Sequence, residues 1–258
     1  MSAIALRLVH TRDLLRELVA RDMKIRYKRS LLGIAWSLVN PLAQILIFSF
    51  LFNRVLPLNI PNYTAFVFTG VLAWSWFSTT LLAAPGTIVD NRDLVRRPGF
   101  TTAVLPVVTV MTNGLHFVLA LPVLLIVLLL GGGQIGLPAL SLPLIMLVQF
   151  VLSLGLTYLI AALHVRFRDI QHLAGIGLML LFYLTPVFYS AASVPAEYRL
   201  IYELNPMAGV LGAYRAALIE GHWPAPVPLL QALLIGAVVL AAGFAIFRRA
   251  SARFVEEL

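Results

Sequence analysis

Residues 104–130 read VLPVVTVMTNGLHFVLALPVLLIVLLL and contain no Asp, Glu, Lys or Arg. They belong to a longer charge-free window that lies between Arg97 and Arg166 and is divided by the glycine triplet 131–133. A helix needs about 20 predominantly apolar residues to cross the hydrocarbon core of a membrane. The window is therefore long enough for two crossings, and it predicts an integral membrane protein.

Charge-free windows also occur on both sides of this stretch. They lie between residues 29 and 54, 54 and 90, 169 and 197, and 220 and 248. Together the windows predict an all-α membrane domain over residues 31–250. Its six transmembrane helices are expected at about 33–54, 63–85, 104–130, 142–164, 172–190 and 227–248.

The composition supports this class. The chain has 258 residues, of which 60% are hydrophobic and 12% are charged, whereas soluble domains carry about 25% charged residues. Disordered chains, disulfide scaffolds and ordinary cytosolic enzymes are excluded by these values and by the absence of cysteine. The formal net charge is +8. Nucleic-acid binding needs those basic residues on a water-facing surface, for which the chain has too little polar surface.

The basic residues predict the orientation, because Lys and Arg accumulate on the cytoplasmic side of membrane proteins. With six spans, 16 of the 19 Lys and Arg residues fall on the side of both termini. The other side receives Arg54, Arg199 and Arg215. We therefore expect a multi-pass protein of the bacterial cytoplasmic (inner) membrane with a cytosolic N-terminal segment, 1–30, and a cytosolic tail, 251–258.

Residues 11–29, within that N-terminal segment, predict an amphipathic helix on the membrane surface. An apolar stripe is flanked by a basic face, the pattern of interfacial helices that bind anionic lipid headgroups. Membrane lipids are thus expected partners. The alternative is that these residues only supply the basic charge that flanks a first span.

Two further segments are too polar to span. Residues 88–100 are charged and end in Pro98-Gly99, which predicts a brief surface helix or a solvated loop. Residues 191–222 predict two short helices broken at Asn205-Pro206, with Arg199 and Glu203 paired at i, i+4. This segment is expected to form a short external re-entrant helix pair, and an ordinary extracellular loop is the alternative.

Catalytic and energy-converting motifs are absent from the sequence. The predicted spans contain no Asp, Glu, Lys or Arg in their interiors to bind a coupling ion. Neither of the two lysines follows a glycine, which excludes a phosphate-binding loop. Metal-ligand spacing is also absent. We therefore expect no catalytic residue, metal or cofactor on this chain, and we expect His116 to hydrogen-bond between helices.

The predicted spans instead carry aromatic and amide side chains. Aromatic rings suit the apolar faces of sugars and amides suit their hydroxyl groups, although Trp and Tyr near span ends also anchor helices at membrane interfaces. The candidates for lining a channel are Trp36, Asn40, Gln44, Trp74, Trp76, Phe77, Tyr183 and Tyr189.

Five stretches in chain order carry a family resemblance. They are 21–28 (RDMKIRYK) with the following 32–36 (LGIAW) and 40–41 (NP), then 91–106, 164–170 (HVRFRDI), 185–189 (TPVFY) and 204–207 (LNPM). Together they resemble the permease subunit of type-2 ABC exporters for cell-surface polysaccharides, a group that contains O-antigen, capsule and teichoic-acid exporters.

The resemblance implies a homodimer that works with two ATP-binding cassette subunits, which bind ATP and Mg, and that exports a lipid-linked or otherwise anchored glycan. The pyrophosphate-linked glycan would enter at Arg21, Lys24, Arg26, Tyr27, Lys28 and Arg29. Segment 88–100 would couple to the ATPase through Asp90, Asn91, Arg92, Asp93, Leu94, Arg96 and Arg97. Segment 191–222 would be an external gate that includes Glu197, Arg199, Asn205, Pro206, Tyr214 and Arg215.

Other functions remain open from the sequence. A type-2 ABC exporter of drugs or lipids shares the expected architecture, and a long aromatic channel would favour a polymer instead. A membrane-embedded enzyme of glycan assembly is disfavoured by the missing catalytic carboxylates. A purely structural membrane scaffold is the remaining alternative.

Overall fold

The structure is a computed structural model that describes residues 3–28, 36–55 and 60–257. Its regular secondary structure is helical throughout that part of the chain, and no strand occurs there. The helices are α1 (Ala3–Tyr27), α2 (Trp36–Phe50), α3 (Tyr63–Ala83), α4 (Gly86–Val89), α5 (Arg92–Val95), α6 (Val104–Leu130), α7 (Leu142–Arg166), α8 (Ile170–Leu184), α9 (Arg199–Glu203), α10 (Pro206–Arg215), α11 (Pro226–Ser251) and α12 (Phe254–Glu257).

Helix α3 lies at the centre of the bundle, where it contacts α2, α6, α7, α8 and α10. In its most apolar stretch 78% of the residues are buried, against 22% in α11. Polar side chains join it to its neighbours. The indole Nε1 of Trp76 donates to the carbonyl of Val110 at 3.2 Å, and Nε2 of Gln149 donates to the carbonyl of Ala73 at 2.8 Å. Such bonds satisfy polar groups that would be costly if left alone in an apolar interior.

Helices α7 and α11 share the most extensive contact in the bundle. Their backbones meet at glycines, since a Cβ on Gly155 would lie 2.5 Å from the amide nitrogen of Leu240. A Cβ on Gly243 would overlap the carbonyl oxygen of Gly155. Small residues allow this approach, which is how membrane helices gain packing energy without a hydrophobic driving force. We call this contact the glycine seam.

Four helices of the described chain are long and apolar enough to cross a membrane: Tyr63–Ala83, Val104–Leu130, Leu137–Arg166 (α7 with the 3₁₀ turn that precedes it) and Pro226–Ser251. They coincide with the second, third, fourth and sixth spans expected from the sequence. In particular, α6 begins and ends at the residues predicted for span three, and the glycine triplet follows it.

The first and fifth predicted spans correspond to shorter helices. Helices α2 and α8 have 15 residues each, which is about 22 Å at 1.5 Å per residue. A π-helical turn, Leu51–Val55, extends α2, and residues 29–35 before it lie outside the described part. Helix α8 ends at Leu184, earlier than the predicted residue 190. Pro186 disfavours helical backbone at Thr185, which is extended with φ −105° and ψ 133°.

The non-spanning segments also differ in detail from the prediction. Helix α1 begins at Ala3, well before residue 11, because Ala and Leu at its start are strong helix formers. The predicted single surface helix within 88–100 is two short helices, α4 and α5, of which the first starts at Gly86. The tail contains a further short helix, α12.

The bundle has two distinct ends. At the first end, α4, α5, the turn between α7 and α8, and Glu257 surround an open cavity of about 580 Å³. At the second end lies the hairpin segment, 191–222, which contains α9 and α10 and packs on the start of α11. This separation places the charged short helices and the hairpin segment at opposite ends of the molecule.

Candidate functional site

The basic end of α1 is attached to the first end of the bundle by Arg21. Its guanidinium donates to Oδ1 of Asn91, in the turn between α4 and α5, at 2.8 Å. The same group forms an ion pair with Asp22 at 2.8 Å. The amide of Asn91 in turn donates to the carbonyl of Thr87 at 3.1 Å. One predicted entrance residue and one predicted coupling residue are therefore in direct contact.

Two more predicted entrance residues reach α6. Nη1 of Arg26 donates to Oδ1 of Asn113 at 3.1 Å and lies 3.2 Å from Nε2 of His116. The hydroxyl of Tyr27 lies 3.3 Å from Nδ1 of the same histidine. Because a guanidinium only donates, the imidazole satisfies both contacts when Nε2 accepts and Nδ1 carries the proton. His116 therefore bridges helices, as the sequence predicted.

The other predicted entrance residues are less constrained. Lys24 and Lys28 are exposed, and Arg29 lies outside the described residues. The apolar stripe of α1 faces the protein at Leu18 and Val19, which are buried in the core. The basic face thus stays accessible while the helix is held against the bundle.

The short helices α4 and α5 form a charged surface on buried anchors. Ile88 and Val95 are buried, whereas Asn91 and Leu94 are half-buried. The predicted coupling side chains that remain exposed are Asp90, Arg92, Asp93, Arg96 and Arg97. We call this set, with the helices that carry it, the charged platform.

The last described helix, α12, packs against the charged platform. Helix α12 contacts α5 and α7, and Phe254 is fully buried with its ring 5.3 Å from that of Phe247. His164 lines the neighbouring cavity, is buried, and has no hydrogen-bond partner at Nδ1 within the described residues. Neither Phe254 nor His164 was predicted as a site residue, because their positions depend on packing between distant segments.

The predicted channel residues separate into two groups by burial. Trp74, Trp76 and Phe77 are buried in the chain, with Phe77 only 1% exposed. Trp36 and Tyr183 are exposed, at 54% and 61%. Gln44 and Tyr189 are half-buried, and the side chain of Asn40 lies outside the described part.

The second end is organised by the non-helical segment of turns and bends that follows α8, residues 185–189. The amide Nδ2 of Asn205 donates to the hydroxyl of Thr185 at 2.9 Å, while its Oδ1 caps α10 by accepting from the backbone of Met207 at 3.0 Å. Pro206 occupies the first helical turn, where its missing N–H costs nothing. The hydroxyl of Tyr63 donates to the carbonyl of Phe188 at 2.8 Å.

Arg215, at the end of α10, is the most buried charged side chain in the described part, at 5% exposure. Nη1 donates to the carbonyl of Pro186 and Nη2 to that of Val187, both at 2.7 Å. Its guanidinium carbon lies 3.5 Å from the ring centroid of Phe66. Burial lowers the pKa of Arg215 to about 9, and the carboxylate of Glu220 acts in the opposite direction, so the group stays charged at neutral pH.

The other predicted gate residues differ from Arg215. Glu197 and Arg199 are exposed, and Tyr214 is fully buried. The predicted ion pair between Arg199 and Glu203 does not form; among the described residues of this end, Glu220 pairs with His222 at 2.7 Å. Phe66 of α3, whose ring lies against the guanidinium of Arg215, was not predicted as a site residue. Stacking between a ring and a distant guanidinium leaves no pattern along the chain.

The described part of the chain thus defines a multi-helix membrane protein with a charged platform at one end and a helical hairpin at the other. The family described as ABC-2 type transporter matches residues 13–219. The chain belongs to this family, and it is a transport subunit.

Named relatives are similar over nearly the whole chain. One is the O-antigen export system permease protein RfbA of Myxococcus xanthus, 37% identical over 96% of both chains. Another is the protein of the same name from Klebsiella pneumoniae, 32% identical over 95% of both chains. The polysialic acid transport protein KpsM of Escherichia coli is 23% identical over 90% of this chain and 91% of its own length.

Proposed function

We propose that this chain is the permease subunit of an ATP-driven exporter that moves a lipid-linked or anchored surface polysaccharide across the cytoplasmic membrane. The observation that carries the proposal is the similarity, over 96% of both chains, to a protein named for O-antigen export. The more distant relative is named for polysialic acid transport. These names favour a polysaccharide over the drug or lipid substrates of other type-2 exporters.

The proposed topology has six crossings, with α2 and α8 completing the set of four long helices. The first end of the bundle is then cytosolic, since Arg92, Arg96 and Arg97 lie there with the basic end of α1. The second end, with the hairpin segment, faces outward. Helices α4 and α5, the α7–α8 turn and α12 cluster at one end of the bundle. This supports an even number of crossings between α5 and the α7–α8 turn, and again between that turn and α12.

The proposed assembly is a homodimer that binds two ATP-binding cassette subunits. ATP and Mg are bound by those partners, and the charged platform is the surface that contacts them. The helices that carry its exposed charges are anchored in the core by Ile88 and Val95. A displacement of α4 and α5 by the partner therefore moves these two side chains against the core. The bond between Arg21 and Asn91 extends that connection to α1.

The proposed glycan path begins at the basic face of α1. The charges of Arg26 and its neighbours suit a pyrophosphate, because guanidinium groups form strong paired bonds with phosphate oxygens. Beyond the entrance, the exposed rings of Trp36 and Tyr183 are the best candidates to face the polymer. The other aromatic candidates are buried within this chain, where they pack behind the proposed path: Trp74, Trp76 and Phe77.

The charged platform is tested by reversing two of its exposed charges together, Asp93→Arg with Arg96→Asp. We expect this variant to lose binding of its ATPase subunit in co-purification, or to retain binding while export falls at least about tenfold, the effect of losing 1.4 kcal/mol of coupling. The matched control is Asp13→Arg with Arg16→Asp on α1. That pair is also exposed, has the same spacing, and lies outside the charged platform.

Normal binding and normal export by the Asp93/Arg96 variant would contradict the coupling assignment. An equal loss in the Asp13/Arg16 variant would contradict it as well, because the effect would then not be specific to the charged platform. Surface display of the glycan in cells whose own permease is deleted measures export directly.

A further inference from the structure

The hairpin segment packs on the bundle along the buried face of α10, and its one buried charged side chain is Arg215. Arg215 ends α10 and reaches two backbone carbonyls, of Pro186 and Val187, that follow the break in α8. Those carbonyls lie beyond the end of α8, where no helical N–H is available to them. One side chain of the hairpin segment thus satisfies two acceptors left by the break.

Helix α3 completes this contact from the other side. The ring of Phe66 lies against the guanidinium, a favourable arrangement for a cation removed from water. Gly70 leaves the space: a Cβ there would lie 2.5 Å from the carbonyl oxygen of Val187 and 2.8 Å from Nη2 of Arg215. The segment after α8, the hairpin segment and the central helix therefore converge on one guanidinium.

The charge of Arg215 has no carboxylate partner in an ion pair within the described residues. Neutral carbonyls and an aromatic ring hold it, and its Nε has no hydrogen-bond partner there. Breaking a buried ion pair leaves two uncompensated charges, whereas releasing this group leaves one cation and two neutral dipoles. Releasing the guanidinium therefore uncovers fewer charges than breaking a buried ion pair would.

We propose that Arg215 is the latch of the external gate: it keeps the hairpin segment closed over the end of α8, and it releases the carbonyls of Pro186 and Val187 when the glycan leaves. This inference rests on the proposed function. It makes Arg215 a positioning residue that acts through the segment 185–189 and does not contact the polymer.

The test uses thiol reactivity, since the chain contains no cysteine. Val187 is 0% exposed, so Val187→Cys reports opening of the latch, and Ala192→Cys, at an exposed position of the hairpin segment, reports full reactivity. Ala161→Cys, in α7 and also 0% exposed, reports loss of the global fold. Each is labelled with a membrane-impermeant maleimide in the purified permease–ATPase complex in liposomes without ATP.

We expect Val187→Cys to react slowly in the parent chain and at least about tenfold faster with Arg215→Gln, the factor that a lost charge-assisted hydrogen bond gives to an opening equilibrium. Gly70→Ala should produce the same increase without removing the charge, because its methyl group occupies the space of the latch. Arg215→Lys should give an intermediate rate, since an ammonium lacks the planar fork. The control Arg12→Gln removes an exposed arginine on α1 and should change nothing.

The second readout is passive leak of a small fluorescent dye from the same liposomes at rest. Arg215→Gln should increase the leak, because an unlatched gate does not seal. Unchanged labelling of Val187→Cys in both variants would overturn the proposal. Faster labelling without leak, or equal labelling of Ala161→Cys, would also overturn it, since Arg215 would then hold only a local loop or the whole fold. None of these outcomes depends on export, so a failure of the latch is distinguishable from a failure of the proposed function.

Discussion

The glycine seam between α7 and α11 makes a sharp prediction about stability. Gly243→Ala would place a methyl group against the carbonyl oxygen of Gly155. The distance between the two atoms would be below 3.0 Å, a separation that a Cβ and a neighbouring heavy atom essentially never show. The obstacle is backbone, so the two helices must separate. Overpacking of this kind costs about 1–3 kcal/mol. The higher helix propensity of alanine returns up to about 1 kcal/mol.

We therefore expect Gly243→Ala to lower the free energy of unfolding by up to about 2 kcal/mol, and the Tm by up to about 8 °C. The assay is thermal loss of the monodisperse peak in size-exclusion chromatography of the detergent-purified chain. The matched control is Gly177→Ala in α8, where a Cβ has nothing within 4 Å. That variant should equal or exceed the parent in Tm. Equal Tm values for the two variants would refute the close backbone contact.

Three further predictions concern side chains of the candidate sites. Arg21→Ala should lower the rate of ATP-dependent export by a larger fraction than the amount of folded protein, because its bond to Asn91 is part-exposed and contributes about 1 kcal/mol or less to stability. A fall in export that only matches the loss of folded protein would contradict a coupling role. Tyr183→Ala should reduce export while leaving Tm within about 2 °C, since the ring is 61% exposed and surface changes cost little; unchanged export would remove it from the path. Phe77→Ala should lower the free energy of unfolding by about 3–5 kcal/mol, measured by denaturation in detergent, and a near-neutral result would contradict the burial of its ring.

Much of the helical architecture is predictable because charge is costly in hydrocarbon. The charge-free window that begins after Arg97 contains α6, whose bounds agree with the span expected at about 104–130, and the glycine triplet marks where the helix ends. The early end of α8 is harder to predict. Residues 185–189 carry no charge and so continue the charge-free window, and the restriction that Pro186 imposes on Thr185 is what indicates a break.

The candidate sites are less predictable than the helices. Sequence patterns indicate which residues are aromatic or basic, but burial depends on contacts between distant segments. Trp74 and Phe77 read as channel residues from the sequence, yet both are buried by neighbouring helices of the same chain. Arg215 reads as one of three basic residues on the outer side, and its partners are backbone carbonyls 28 and 29 residues away, which no residue-type pattern reveals.

The central claim is that this chain forms the pathway while another chain hydrolyses ATP. Reconstituted liposomes containing the permease, its ATPase subunit and a lipid-linked polysaccharide test it most directly, with an impermeant glycosidase reporting which side the glycan occupies. We predict ATP-dependent transfer of the glycan only when both subunits are present, and no ATP hydrolysis by the permease alone. Hydrolysis by the isolated permease, or the absence of transfer by the active complex, would contradict the account.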